Sequence, residues 1–231
     1  MTEDAVLGAV AVGAPVTHGL LMGTIGYPMA TRSRQAMARF HRSGFTWWLL
    51  TLAVVVCAGL VLAPEALDAG APTGSVPSLG VALALFCVGL LGCLAVEIAG
   101  AALSRWRRTE SAARGAQRYT GALPLWAATP RVELILLVVT AGLEEAVYRG
   151  VALHWFLDDL GAQSWVAVVV VAVAFGAAHW YFGVRQMVLK SALGLVLGIV
   201  AVLGAWWVAA LAHAALNCAL LLITRLNQRA R

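Results

Sequence analysis

Three short motifs place polar and ionisable side chains inside otherwise apolar sequence. They read EEAVYR at 144–149, FGAAH at 175–179 and HAALN at 213–217. A charged side chain at the centre of a bilayer costs on the order of 2.5–3.5 kcal/mol on insertion scales, so such groups are rare and are functional candidates by default. The three motifs therefore define the candidate site.

Helical spacing sorts these side chains onto shared faces. Residues four positions apart are neighbours on a helix surface, so Glu145 and Arg149 can form an ion pair. The same spacing places Phe175 and His179 on one face of a second helix. It also places His213 and Asn217 on one face of a third. Glu144 is turned about 100° away from Glu145 and is free to face another helix. We expect the helices to form one cluster, braced by the Glu145–Arg149 pair, that contains Glu144, His179, His213 and Asn217.

A cluster of this composition can direct water onto a carbonyl group. A carboxylate in a partly desolvated cavity can serve as a general base, and a neighbouring imidazole can hold the same water. A second imidazole and an amide can donate hydrogen bonds to the developing oxyanion, which is worth about 2.7–4 kcal/mol for one donor in studied hydrolases. This chemistry needs no Ser or Cys nucleophile.

Each motif alone also has a structural interpretation. A Glu–Arg pair often only braces a helix, and a single intramembrane His often makes an interhelical hydrogen bond. Asn217 alone would be interpreted as a contact that joins helices. Glu97, which has no evident partner in sequence, is interpreted as structural or as facing the lumen. The functional interpretation depends on three polar faces occurring together in one core.

The elements that carry these motifs are predicted to be membrane helices. The 231 residues are 61% hydrophobic and 12% charged, with a mean hydropathy of +0.86, whereas soluble domains are about 45–50% apolar and about 25% charged. Runs of about 20 apolar residues indicate spans. The predicted fold is an all-α, polytopic transmembrane bundle of about seven spans, within a range of about six to eight. The expected spans are 45–63, 79–103, 132–157, 164–182, 187–204 and 205–224, with a weaker one at 5–29.

Basic residues predict the orientation of these spans. Arg is concentrated at 31–42, at 105–118, at Arg185 and in the C-terminal tail, whereas the alternate connections carry only acidic charge. The positive-inside rule therefore predicts a multi-pass protein of the cell membrane with the N-terminus outside and the C-terminus in the cytoplasm. This topology also explains the net charge of +5, so no nucleic-acid partner is expected.

We predict two parts of the chain. Residues 1–118 form N-terminal membrane helices of uncertain role, and residues 119–231 form a four-helix core that contains the three motifs. Within this core, Gly194 and Gly198 form a small-xxx-small pattern typical of closely packed membrane helices. The nine Trp, including the pair at 47–48, are interpreted as interfacial belts.

The three motifs resemble the EExxxR, FxxxH and HxxxN motifs of the CPBP family. These are the CAAX-protease and bacteriocin-processing intramembrane endopeptidases, also called the Abi family. The motifs stand in the family's order, and the resemblance covers about residues 132–224. It implies a glutamate-dependent protease, expected in a prokaryote, whose site lies in a membrane cavity open to the cytoplasmic side.

The resemblance also implies roles for the motif residues. Glu144 would be the general base that activates water together with His179. His213 and Asn217 would stabilise the oxyanion. Glu145 and Arg149 would shape the site.

The metal requirement stays open at the level of sequence. The family is often described as metalloproteases, but no HExxH motif is present here. In the main mechanism no cofactor takes part. In the other, a divalent metal such as Zn²⁺ is held by Glu144, His179 and His213, and the second glutamate acts as the base.

The expected partners are a peptide or membrane-protein substrate and the lipid bilayer. Prenylated CAAX proteins are not an expected substrate in a prokaryote, and peptide processing, bacteriocin self-immunity and regulated proteolysis stay open. One alternative is a non-catalytic membrane scaffold, chaperone or bacteriocin-immunity protein on the same fold. A further alternative is a proton-coupled transporter, because Glu and His chains also relay protons. The sequence lacks the inverted repeat common in transporters, so this alternative ranks last.

Overall fold

The described part of the chain is helical throughout. The computed structural model describes residues 3–22, 34–67, 76–111 and 131–229, and these ranges contain no β-strand. The all-α prediction is therefore confirmed for the described residues. The α-helices are α1 (Glu3–Leu21), α2 (Arg34–Leu62), α3 (Leu79–Ser111), α4 (Arg131–Glu145), α5 (Ser164–Ala178), α6 (Val184–Leu203) and α7 (Trp206–Arg229).

Three of the described helices are long and apolar enough to cross a bilayer. Their apolar stretches are Leu79–Leu103, Val184–Leu203 and Trp206–Ile223. At about 1.5 Å per residue, helices of this length match a hydrocarbon core of about 30 Å. Shorter apolar helices cover Val6–Leu21, Thr46–Leu62 and Ser164–Ala178. The fold is a helical membrane bundle, while the orientation of its termini stays a prediction.

The helix that carries the first motif changes its winding at that motif. The regular α-helix α4 ends at Glu145, and the chain continues as a π-helix over Ala146–Ala152 and again over Trp155–Asp159. The segment 132–157, expected to be one of the spans, is therefore helical along its length but changes from α to π winding after Glu145. Because π-helical hydrogen bonds reach one residue further than those of an α-helix, such turns are wide, and they occur frequently at functional sites.

The second motif lies at a helix end. Helix α5 stops at Ala178, earlier than the end at Phe182 predicted from hydropathy. His179 leaves the helical conformation, with φ of −94° and ψ of 14°, and a 3-10 turn follows over Trp180–Phe182. Gly183 then adopts a φ of +94°, which favours glycine because no Cβ can clash. The His179 side chain thus lies where the chain turns toward α6.

Helices α5 and α6 approach each other closely at two glycines. A Cβ at Gly194 would lie 2.9 Å from the Cα of Ala172, and one at Gly198 would lie 2.9 Å from a methyl group of Val168. The predicted close packing at Gly194 and Gly198 is therefore confirmed. It also brings the backbone of α6 within reach of the first motif.

The two N-terminal helices pack on the core instead of lying apart from it. On α1, Gly19 lies so close to the backbone of Ala178 that a Cβ there would collide with it. On α2, Leu52 and Val55 are buried. The expected boundary between residues 118 and 119 lies outside the described residues, so the division into two parts stays a prediction.

Candidate active site

Glu144 lies at the centre of the candidate site. It belongs to the last turn of α4, and its side chain is buried. The Nε2 atom of His179 lies 3.9 Å from Glu144 Oε1, and the Nε2 atom of His213 lies 3.9 Å from Glu144 Oε2. The structure thus brings together three of the predicted residues, each from a different helical element, with one imidazole on each carboxylate oxygen.

The two 3.9 Å separations are too long for direct hydrogen bonds, which span about 2.7–3.2 Å. Polar atoms separated by more than about 3.5 Å are often bridged by a water molecule. Two hydrogen bonds of about 2.8 Å easily cover 3.9 Å when they meet at one oxygen. The spacing therefore suits a water shared between the carboxylate and an imidazole.

The hydrogen bond at the other nitrogen fixes the proton position on His179. Its Nδ1 atom lies 2.8 Å from the carbonyl oxygen of Phe175. A carbonyl oxygen can only accept, so Nδ1 carries the hydrogen, and Nε2 of the neutral ring offers a lone pair toward Glu144. The ring also packs edge-on against Phe175, with ring centroids 4.9 Å apart. The predicted Phe175–His179 face is confirmed by these contacts.

His213 is oriented in an equivalent way by a carboxylate. Its Nδ1 atom lies 2.8 Å from Oε1 of Glu145. Because the carboxylate accepts, Nδ1 donates, and Nε2 of the neutral ring points its lone pair at Glu144. The His213 ring packs edge-on against Phe175, with centroids 6.0 Å apart. Phe175 therefore contacts both imidazoles, a role that the sequence did not reveal.

The predicted Glu145–Arg149 ion pair is present and fully buried. Arg149 Nη1 lies 3.1 Å from Glu145 Oε1, and both side chains have 0% exposure. Arg149 Nη2 donates to the carbonyl oxygen of Gly194 on α6 at 3.0 Å. Its guanidinium carbon lies 4.7 Å from the centroid of the Phe175 ring, within the range of a cation–π contact. The pair therefore joins three helical elements and also holds His213 through Glu145.

Asn217 is placed less centrally than predicted. It lies on α7 one turn after His213 and is half-buried. Among the described residues, the hydrogen bonds that hold Glu144 and Glu145 do not involve its amide. Its role as an oxyanion donor stays a prediction.

Trp48 is a site residue that sequence reasoning missed. The interpretation of the Trp pair at 47–48 as an interfacial belt is wrong for Trp48, because its Nε1 atom donates to Glu144 Oε1 at 2.9 Å. Trp48 is 7% exposed, whereas Trp47 is 61% exposed. Trp48, Leu52 and Val55 share one helix face at i, i+4 and i+7 spacing, but the neighbouring faces of this apolar run look the same, so the sequence carried no signal for Trp48.

The donor set has the chemistry of a metal site but not its spacing. Metal-binding His typically donates its second ring N–H to a carbonyl or carboxylate, as both imidazoles do here. Ligand atoms about 2.0–2.2 Å from a tetrahedral zinc ion lie roughly 3.3–3.5 Å apart, closer than the 3.9 Å found at Glu144. Within the described ranges no three His, Cys, Asp or Glu side chains are grouped to hold an ion. A metal would require the side chains to move together.

Comparison with known proteins adds family information for the same part of the chain. No curated protein and no solved structure matches the sequence. Residues 126–219 match the family model of the type II CAAX prenyl endopeptidase Rce1-like proteins. This segment contains all three motifs, whereas α1, α2 and α3 lie before it. The resemblance expected from the motifs is thereby confirmed: residues 126–219 are similar to the Rce1-like family of type II CAAX prenyl endopeptidases.

Proposed function

We propose that this protein is an intramembrane endopeptidase that hydrolyses a peptide bond in a membrane-associated protein or peptide. The observation that carries the proposal is the position of Glu144 between two imidazoles, each of which offers its Nε2 atom 3.9 Å from a carboxylate oxygen. The family match supports proteolysis in particular, among the reactions that activated water can perform.

In the proposed reaction, a water molecule lies between Glu144 Oε1 and His179 Nε2. Both atoms accept hydrogen bonds, so the water donates its two protons to them and keeps its lone pairs free for the substrate carbonyl. The water oxygen attacks the carbonyl carbon while one proton passes to Glu144, and the carbonyl π electrons move to the oxygen. The carboxylate is thus the general base, and His179 holds the nucleophile in place.

Collapse of the tetrahedral intermediate completes the proposed reaction. The oxyanion electrons re-form the carbonyl double bond and the C–N bond breaks. The proton held by Glu144 passes to the leaving nitrogen, which restores the carboxylate. One water is consumed, and the products are a new carboxyl terminus and a new amino terminus.

Two residues of α7 are the proposed oxyanion donors. The Asn217 amide can donate in its ordinary form, whereas His213 Nε2 can donate only when both ring nitrogens carry protons. Glu145 accepts from Nδ1 in either state, so the ring keeps its orientation through the reaction. Each such donor contributes about 2.7–4 kcal/mol to transition-state stabilisation in comparable sites.

The proposed setting is a cell membrane of a prokaryote, with the C-terminus in the cytoplasm. The Arg-rich connections support this orientation through the positive-inside rule. The proposed substrate is a peptide or membrane protein that reaches the site from the cytoplasmic side.

The test compares the membrane peptidomes of cells that carry the native chain and cells that carry Glu144→Gln. We expect specific peptide products with the native chain and amounts lower by at least about 10²-fold with the variant, because an amide cannot accept the proton. Glu97→Gln is the matched control, since it removes a half-buried carboxylate from the candidate span Leu79–Leu103. Products that persist at near-native amounts in Glu144→Gln would refute the assignment of the base.

The same comparison separates the alternative functions. A scaffold, chaperone or immunity protein would yield no peptide that depends on Glu144 at equal protein abundance. A proton-coupled transporter would instead show Glu144-dependent flux when the purified protein is reconstituted in liposomes.

A further inference from the structure

Helix α2 contributes a side chain to the candidate site from outside the part of the chain that matches the family. Trp48 precedes residues 126–219, and 96 positions separate it from Glu144. We propose that Trp48 is a positioning residue that fixes the Glu144 carboxylate for water activation. This inference rests on the proposed function, because positioning matters only if Glu144 is the base.

The hydrogen bond restricts the carboxylate at one oxygen. Trp48 Nε1 donates to Oε1 at 2.9 Å, and the same oxygen faces His179 Nε2. Rotation of the carboxylate would break this bond in a buried site where no bulk water replaces it. Oε2 therefore stays directed toward His213, while Oε1 stays directed toward His179.

Trp48 also limits the space beside His179, the residue that holds the water together with Glu144. Its ring packs edge-on against His179, with centroids 6.0 Å apart. The His18 ring of α1 also lies near Trp48, with ring centroids 5.5 Å apart. The indole thus contacts both α1 and the site, and its large rigid ring leaves little freedom for the N–H direction.

An indole N–H is well suited to this position for a chemical reason. It donates a hydrogen bond but carries no basic nitrogen, so it cannot take the proton that Glu144 must receive. A Lys or His in its place would add a charge or a competing base. Trp48 therefore orients the carboxylate without entering the proton transfer.

The first experiment measures the contact without any substrate. Purified protein in detergent is labelled with ¹⁵N-tryptophan, and the Trp48 indole signal is assigned by its loss in Trp48→Phe. In Glu144→Gln we expect the Trp48 N–H signal to move more than any other indole signal, because its acceptor loses its charge. The signal of the exposed neighbour Trp47 is the internal reference. A Trp48 signal that moves no more than that of Trp47 would overturn the inference.

The second experiment measures catalysis with the peptide substrate identified through Glu144→Gln. We expect Trp48→Phe to lower kcat by about 10- to 100-fold, as for loss of a hydrogen bond to a charged group, with KM within about twofold of the native value. Trp47→Phe should leave both constants unchanged. A Trp48→Phe kcat within about twofold of the native value would refute the positioning role.

The two readouts distinguish the two proposals. A large Trp48 signal change together with no Glu144-dependent cleavage would refute the protease function while leaving the contact established. Cleavage that depends on Glu144 but not on Trp48 would uphold the protease and refute the positioning role. If Trp48→Phe does not fold, the other indole signals are assigned with Trp47→Phe and the remaining single Trp→Phe variants, and the signal left over belongs to Trp48. The Glu144→Gln spectrum then still tests the contact.

Discussion

The imidazole of His213 and the carboxylate of Glu145 share a hydrogen bond of 2.8 Å across 68 positions of sequence. Glu145 therefore does more than neutralise Arg149 one turn further along its own helical segment. The same oxygen, Oε1, accepts from Arg149 and from His213. Stability and imidazole orientation thus depend on one atom, and substitutions can separate these two roles.

We predict that Glu145→Gln lowers both stability and activity, because the buried Arg149 then lacks a negatively charged partner. The loss expected for breaking such a pair is about 3–5 kcal/mol. The double variant Glu145→Gln with Arg149→Met should regain much of the stability, since replacing a whole buried pair is often neutral. It should not regain activity, because His213 still lacks its carboxylate. Thermal unfolding in detergent and peptide cleavage measure the two effects, and recovery of both would contradict the orienting role.

Replacement of the proposed base should separate activity from folding. Glu144→Gln is expected to reduce cleavage by about 10²–10⁴-fold, the contribution typical of a general base. Its stability should remain close to native because the Gln oxygen can still accept from Trp48. Initial rates and melting temperature measured on one preparation test this prediction. A melting temperature that falls as far as in Glu145→Gln would show that Glu144 is mainly structural.

The two imidazoles should differ in their effect on stability. His213→Ala removes a buried donor from Glu145, and such a loss costs about 1–3 kcal/mol. His179→Ala removes a donor from the Phe175 carbonyl at the end of α5, where the polypeptide already turns, and we expect a smaller cost. Both variants should lose cleavage. Equal unfolding midpoints in denaturant for the two variants would contradict the linkage through Glu145.

The contact between α5 and α6 can be tested with glycine substitutions. Gly194→Val would force α6 away from the backbone of Ala172 and move the carbonyl that accepts from Arg149. We expect a loss of about 1–3 kcal/mol, the usual cost of overpacking. Gly142→Ala is the matched control, because a Cβ there has no neighbour within 4 Å among the described atoms. A midpoint for Gly194→Val equal to that of Gly142→Ala would refute the close contact as a source of stability.

Metal dependence can be tested directly with chelators. We predict that Glu144-dependent cleavage persists in EDTA and in 1,10-phenanthroline, because each imidazole Nε2 lies 3.9 Å from a Glu144 oxygen, further apart than two ligand atoms of one zinc ion. Loss of activity that added Zn²⁺ restores would show that Glu144, His179 and His213 move together around an ion. Metal analysis of the purified protein provides a second readout.

The local part of the site could be predicted from sequence. The Glu145–Arg149 pair and the Phe175–His179 contact each join residues four positions apart, and helix geometry alone fixes such neighbours. The gathering of Glu144 with two imidazoles followed from short connections between antiparallel helices. The i, i+4 contacts do not depend on how each helix is rotated about its axis, whereas the gathering of Glu144 with the two imidazoles requires the three polar faces to point toward each other.

The long-range part could not be predicted for a physical reason. In a membrane helix the lipid-facing side is as apolar as the packed side, so hydropathy does not show which face meets protein. Trp47 and Trp48 therefore looked equivalent, although one is exposed and the other donates to Glu144. Hydropathy also did not predict the π-helix after Glu145 or the end of α5 at Ala178.

The pairing of Arg149 with a residue of its own helix has a consequence for biosynthesis. Its other anchor, the Gly194 carbonyl, is synthesised 45 positions later. Glu145 and Arg149 can neutralise each other as soon as one helical turn exists, before α6 and α7 have been synthesised. The hydrogen bonds to Gly194 and His213 then form when the later helices dock, as a second stage of assembly.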